Sequence, residues 1–476
     1  VATIFCGRFH RDIKRVLVPL AIWRTIESVS HEVIRNRSID SCHRTTIADL
    51  LLSWFDVYAR DLPWRKDVSS TLRSFYSDRL SAFAGSLPYA ERLKLRRDPY
   101  TVIVSELMLQ QTQVSAVIPY YERFMERFPT VEKLADADET EVLKLWEGLG
   151  YYRRARFLSA LAKRVVENYD GIIPPNKRLL LSLPGIGQYT AGAILSFAYD
   201  LPEPAVDGNV IRVFSRLDAQ PHVRGDAKAF RAVRHQVRAL MPEDRAGDFN
   251  EAIMDLGATI CTPSSPDCAI CPLHSQCQAH ALNVVYIYPL RKNIEEKPID
   301  RFSYVLLHRD NFVYVQRRAK GLLEGMYEFY SLPHPFGSED DMSFRTSFIG
   351  DLNLARCANS PFEHGRVRDD VREYEYGDGD SIKSSRDEGP SDVGDLAEKI
   401  RVSFIGNRKA VYSHRIWEVS CWEVEVMSHI EDIGTDPSGE WVTIEELSEL
   451  PFPAVLVPWR DAFILRFNSD CKESLT

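Results

Sequence analysis

"LLSLPGIGQYTAGAILSFAY", residues 180–199, sets two glycines, Gly185 and Gly187, between two runs of helical apolar spacing. Pro-Gly at such a junction makes a tight turn and leaves the first N–H groups of the second helix without intrahelical partners. Those groups can bind a phosphate without help from a positive side chain. A glycine-rich connection kept only for packing has the same local pattern, so the neighbouring sequence decides the reading.

Downstream lies "EPAVDGNVIRVFSRL", residues 203–217, where Asp207 precedes a helix expected from Gly208. The helix dipole and its free N–H groups are expected to favour an ionised Asp207. Read locally, Asp207 could equally be a plain helix cap. Further on, "CTPSSPDCAICPLHSQC", residues 261–277, holds four of the nine cysteines: Cys261, Cys268, Cys271 and Cys277. The other five, Cys6, Cys42, Cys357, Cys421 and Cys471, are scattered, which argues against a secreted disulfide framework and for a reducing compartment. Thiols this dense in a reduced protein point to a metal centre, with a structural four-cysteine zinc knuckle and an iron–sulfur cluster both open.

Upstream, residues 98–128 turn strongly helical, with Asp98 able to cap and Pro99 at the first helical position. Helical stretches follow around 138–146, 153–168, 176–182, 187–199, 208–217, 226–240 and 248–257, with almost no strand signal before about residue 300. An all-α domain is therefore expected over 44–282 and a connector over 283–299. Short β-rich runs such as "RFSYVLLHRD" and "FVYVQRR" then predict an α+β domain over 300–470.

Several domains suit a chain of 476 residues, which exceeds the usual size of one hydrophobic core. No apolar run near the start approaches the roughly 20 residues a membrane span needs, so no membrane partner is expected. Net charge is −9, but residues 363–398 carry 12 acids against 5 bases, a local −7. The remainder is nearly neutral, so global charge decides little about a nucleic-acid partner. Residues 358–398 are expected to be a disordered acidic insertion. Residues 1–43 are expected to be an extension, disordered or for targeting. The chain opens on Val1 rather than Met, and its arginine-rich, acid-poor start is compatible with a transit peptide.

Taken in order, the hairpin, Asp207 and the cysteine loop resemble the helix-hairpin-helix, Gly/Pro, Asp glycosylase superfamily related to endonuclease III. The resemblance implies a [4Fe–4S] cluster on Cys261, Cys268, Cys271 and Cys277, structural rather than catalytic. Bifunctional members carry a lysine two residues after the last hairpin glycine. Tyr189 stands there, so a lysine-driven lyase step is not expected.

Five further stretches resemble the MutY-type adenine DNA glycosylases over about 44–460: "LPWR" (62–65), "SELMLQQTQV" (105–114), "WEGLGYYRRAR" (146–156), "VDGNV" (206–210) and "GLLEGMYEF" (321–329). The resemblance implies a multidomain protein, an all-α helix-hairpin-helix glycosylase domain with an iron–sulfur loop followed by an α+β Nudix-like domain. It implies Glu106 as general acid, Asp207 as stabiliser of the sugar cation, and Tyr189 and Asn209 as their supports. Gln111 and Tyr151 would wedge into the duplex, and Gly185, Gly187 and Arg65 would also contact DNA. Tyr412, Ser413 and His414, aligned with the family's Phe-Ser-His, would read 8-oxoguanine. The implied substrate is double-stranded DNA with adenine opposite 8-oxoguanine or guanine, cut at the glycosidic bond to begin base excision repair.

A monomer is expected, in the nucleus with the mitochondrion as a second location, and with repair and replication factors as candidate partners. Residues 67–97 interrupt the family's short step from "PWRKD" to "DPY", and Tyr327 replaces its usual tryptophan. The second domain lacks the Glu-rich helix of a working Nudix hydrolase, so pyrophosphate hydrolysis is not expected. Two other readings stay open: an endonuclease III-like glycosylase-lyase for oxidised pyrimidines, and a non-catalytic damage-binding protein.

Overall fold

In the computed structural model the chain divides into two compact units, Val1–Glu295 and Glu296–Thr476. The structure describes residues 41–84, 95–223, 225–290, 296–337, 340, 342–348, 400–427 and 439–473. Of the expected extension 1–43 only the last three residues fall within these, and the acidic insertion 358–398 lies outside them. Among the described residues no helix is long and apolar enough to cross a membrane.

The first unit is helical. In chain order it holds α1 (Ser41–Tyr58), α2 (Ser70–Ala84), α3 (Pro99–Leu109), α4 (Val114–Arg127), α5 (Val131–Ala135), α6 (Glu139–Leu145) and α7 (Arg153–Tyr169). Then come α8 (Lys177–Leu180), α9 (Gln188–Ala193), a π-helical turn Ile194–Ala198, α10 (Gly208–Leu217), α11 (Ala227–Leu240), α12 (Ala246–Thr259) and α13 (Gln278–Ala281). Short polar side chains start many of them: Asp98, Asp138, Asn176, Asp207 and Asp226 each accept a first-turn N–H. The helical run 98–128 resolves as two helices, because the chain turns at residues 110–113 with Gln111 at φ 59°.

Apolar faces of α1, α10, α11 and α12 close one core, with Phe55, Phe214, Val237 and Phe249 among its members. Within the expected insertion 67–97, α2 buries Tyr76 and Leu80. Both of its flanks are tied by backbone bonds, Val68 N–H to Arg96 O (3.0 Å) and Arg96 N–H to Ala198 O (2.7 Å). The division between units falls inside the expected connector 283–299, whose first half is packed rather than free. Val285 and Tyr288 are buried beside α13, and Leu290 N–H bonds His222 O at 2.9 Å.

The second unit is a seven-stranded mixed sheet in the order β3-β2-β1-β6-β5, with β4 beside β1 and β7 beside β2. Its strands are β1 (Ile299–Arg309), β2 (Phe312–Arg317), β3 (Tyr327–Glu328), β4 (Tyr330–Leu332), β5 (Ile400–Val411), β6 (Ile416–Val426) and β7 (Gly439–Thr443). A short helix over 342–348 and two after β7, Ile444–Glu449 and Val457–Glu473, complete it. β1 pairs in parallel with β6, and residues 303–308 are buried without alternation. The reason is that both faces are covered. Tyr304 and Leu306 pack with Trp459 and Phe463 on one side, and Val305 and Leu307 with Phe344 and Phe348 on the other.

Candidate active site

The π-helical turn, α3, α12 and the N-terminus of α10 surround a cavity of about 800 Å³ in the first unit. It is large enough for a nucleobase and sugar, within the usual range for small-molecule sites. Glu106, Tyr189, Asp207 and Asn209 all line it. The residues the sequence singled out for chemistry, scattered over a hundred positions, are thus brought to one cavity.

Glu106 sits on α3, a helix buried along nearly its whole length, and is itself only 6% exposed. Burial pushes its carboxyl group up to about 7, with the nearby Asp207 charge adding to the rise. The Tyr189 hydroxyl donates to Glu106 Oε2 at 2.6 Å and opposes part of that shift. Burial, with Glu106 and Asp207 adding, holds the Tyr189 phenol well above its ordinary value, so it remains a donor at neutral pH.

Asp207 caps α10: its Oδ1 accepts from Val210 N–H and its Oδ2 from Asn209 Nδ2, both at 2.8 Å. The expected depression by the helix terminus does not dominate. Burial raises the Asp207 carboxyl, and the bonds from Val210 and Asn209 pull it only part of the way back. Asn209 is oriented in turn by Arg212, whose Nη2 donates to Asn209 Oδ1 (2.9 Å) and Gly257 O (2.7 Å) and whose Nε donates to Cys261 O (2.8 Å). A Cβ at Gly257 would lie 2.8 Å from Asn209 Cβ, so only glycine lets α12 approach here.

Arg65 lines the cavity, but its guanidinium is spent inside the domain. It donates to both oxygens of the buried Asp255 at 2.8 Å, and its Nε lies 2.9 Å from Glu251 Oε1. Arg97 grips Glu251 from the other side at 2.7 and 2.8 Å. Arg65 is thereby a wall residue of the cavity, held because two buried carboxylates need counter-charges. Glu251 and Arg97, which also line the cavity, were missed by sequence reasoning. The signal was present: Glu251 and Asp255 are four residues apart, on one face of α12.

At the hairpin, Gly185 has φ +76°, and no side chain caps α9 at Gly187. Its first-turn N–H groups remain available to an anion. Gln111 lines the cavity mouth, while Tyr151 is 42% exposed and lies outside the cavity lining. Both have left-handed backbones, φ 59° and 52°.

The four loop cysteines carry free, half-buried thiols. Burial first, then the neighbouring sulfurs of Cys261, Cys277 and Cys268, pushes Cys271 up to about 12. The buried Arg216, four residues beyond Arg212 on α10, donates to Cys261 Sγ (3.3 Å), Thr262 O, Val285 O and Tyr288 O. Among the described residues no set of three or more His, Cys, Asp or Glu side chains is arranged to hold a single metal ion.

In the second unit Tyr412, Ser413 and His414 form the turn of the β5–β6 hairpin, closed by Tyr412 N–H to Arg415 O at 2.9 Å. Tyr412 sets its ring edge-on to Trp417 with centroids 4.9 Å apart, and Lys297 Nζ donates to its carbonyl. Ser413 and His414 are exposed, and their side chains meet at 3.2 Å.

Residues 104–238, which include most of α3, the hairpin and α10, match the family described as HhH-GPD superfamily base excision DNA repair protein. The chain is 40% identical over 320 residues to the adenine DNA glycosylase of Arabidopsis thaliana, covering 59% of this chain and 46% of that one. It is 45% identical over 234 residues to that of Rattus norvegicus, covering 48% of this chain and 41% of that one. Against the adenine DNA glycosylase of Buchnera aphidicola subsp. Schizaphis graminum (strain Sg) it is 32% identical over 274 residues, covering 57% of this chain and 71% of that one. The chain thus spans less than half the length of the plant and rat relatives.

Proposed function

We propose that this chain, which belongs to the adenine DNA glycosylase family, hydrolyses the glycosidic bond of adenine paired with 8-oxoguanine or guanine in double-stranded DNA. The observation that carries the reading is one cavity in which two of the three lining carboxylates have different supports, the third, Glu251, being taken up by Arg65 and Arg97. Glu106 is held by Tyr189 at 2.6 Å and Asp207 by Asn209 and the start of α10.

Adenine must leave the stack before its bond to the sugar is accessible. Glu106, protonated near neutral pH, donates its proton to the departing base, and the electrons of the C1′–N9 bond leave with it. Ionised Asp207 stabilises the positive charge left on the deoxyribose. Water adds to C1′ and returns a proton to the Glu106 carboxylate, giving free adenine and an abasic site. Tyr189 offers no amine for a Schiff base, which favours a monofunctional glycosylase over a lyase. In this reading the second unit is Nudix-like, and Tyr412, Ser413 and His414 meet the opposite base.

The test is single-turnover release of adenine from a duplex with adenine opposite 8-oxoguanine, beside A·T and oxidised-pyrimidine controls. Release from the lesion pair alone is expected. Tight binding without release would favour a damage-binding protein, and strand cleavage at the pyrimidine would favour the lyase.

The donor set of residues 261–277 fits a [4Fe–4S] cluster: four cysteines free of disulfides on one loop, the ligand number and type such a cluster takes. When bound, the cluster would supply rigidity to the loop that Arg212 and Arg216 tie to α10. Purified protein is expected to be brown with broad visible absorbance. Cys271→Ser should bleach it and lower the melting temperature of the helical unit. A colourless protein containing zinc would overturn the cluster.

A further inference from the structure

Arg154 is 5% exposed, and among the described residues no carboxylate pairs with it. Its guanidinium is spent on backbone carbonyls and one threonine hydroxyl instead. Nη1 donates to the carbonyls of Leu107 (2.8 Å), Met108 (2.6 Å) and Gln110 (2.6 Å), and Nη2 to Gly150 O (2.8 Å) and Thr112 Oγ1 (3.2 Å). Nε reaches Tyr151 O at 3.3 Å. The Trp146 and Tyr151 rings lie 5.4 and 5.3 Å from its Cζ.

The first three acceptors belong to the C-terminal end of α3. The last carbonyls of a helix lack intrahelical donors and carry the negative end of its dipole, so a cation there is favoured without a carboxylate. Burial lowers the Arg154 pKa to about 10, which still leaves it charged at neutral pH.

The remaining acceptors explain why one arginine is needed. Gln111 and Tyr151 are non-glycine residues in the left-handed region. Each such conformation is strained and persists only where the surroundings over-determine it. Arg154 bonds the residues on both sides of Gln111, at Gln110 and Thr112, and also Tyr151 and its neighbour Gly150. One planar fork therefore spans two loops about forty residues apart in sequence and joins both to the helix that carries Glu106. Lysine has three donors at a single point and lacks that planar fork.

We propose that Arg154 is a positioning residue that locks the Gln111 and Tyr151 loops into one rigid unit for entering the duplex, so that base extrusion depends on it. The inference rests on the glycosylase reading for its use and on the geometry alone for the coupling.

Two readouts on the full chain test it, with Arg154→Gln and Arg154→Lys. Hydrogen exchange without DNA should show the segments 107–113 and 148–154 losing protection together while α10 and α12 keep theirs. With 2-aminopurine opposite 8-oxoguanine, the emission rise on binding should be lost, and adenine release should fall roughly 100-fold, as expected when a positioned group is displaced. Affinity for an abasic-site duplex, which has no base to extrude, should stay at the wild-type level.

Loss of protection in only one loop, a normal emission rise, or a parallel fall in abasic-site affinity would overturn the proposal. Should Arg154→Gln fail to fold, Arg154→Lys decides, because it keeps the charge at the end of α3. If the wild type releases no adenine, the glycosylase reading fails, while the exchange measurement still decides the two-loop coupling.

Discussion

Asp207→Asn is expected to slow single-turnover adenine release by roughly a thousandfold or more, in line with removing one charge-stabilising group from a preorganised site. The fold should survive, because asparagine caps a helix about as well as aspartate and its carbonyl can still accept from Val210 N–H. The second contact sets the stability change. Asn209 Nδ2 now donates to Asp207 Oδ2, and Arg212 prevents Asn209 from turning over, since it already uses Asn209 Oδ1. The new amide would therefore set donor against donor, at a cost of about 1 kcal/mol. Removal of a buried charge offsets part of that. A melting temperature within a few degrees of wild type, beside a rate lost almost entirely, would separate chemistry from capping. A variant with wild-type rate would leave Asp207 a helix cap and remove it from the reaction.

That separation shows what the sequence could and could not say about this site. Asp207 before Gly208, the turn at Gly185 and the run of thiols are local signals, because caps, left-handed turns and dense cysteines each depend on a few adjacent residues. Helices such as α10 follow from apolar periodicity, and the strands β1 and β2 from short β-rich runs, for the same reason. An arginine in a motif such as Arg65 does not reveal that Asp255 and Glu251, nearly two hundred residues away, will claim its guanidinium. The break at residues 110–113 was hidden for a similar cause: the carbonyls at the end of α3 are taken by Arg154 from another helix. Nor could spacing reveal that burial outweighs the helix terminus at Asp207. In each case the deciding partner is distant in sequence, and the local pattern is the same with or without it.

Glu106→Gln should lower the rate by about 10²–10⁴-fold, the usual value of a positioned proton donor, and the pH dependence identifies the group. Wild-type release should fall as pH rises through about 7, where Glu106 loses its proton, and this limb should be absent from the glutamine variant. Tyr189→Phe provides the sign test. The Tyr189 hydroxyl stabilises ionised Glu106, so its removal should raise the Glu106 pKa and move the alkaline limb to higher pH. A limb that moved down would mean that the hydrogen bond favours the neutral acid. Stability of the glutamine variant should move in the opposite sense to its activity. Because burial raises Glu106 from an ordinary 4.5 to about 7, the folded state holds a proton across that window that the unfolded chain releases. Its contribution is fully present below about 4.5 and lost as pH rises through about 7. Glutamine carries no such dependence and can still accept from Tyr189 through its carbonyl. The inactive variant should therefore melt above wild type at alkaline pH, with the difference shrinking to nothing in acid. Denaturation at both extremes reads this directly, and equal melting temperatures at alkaline pH would mean that Glu106 is not held at a cost to the fold.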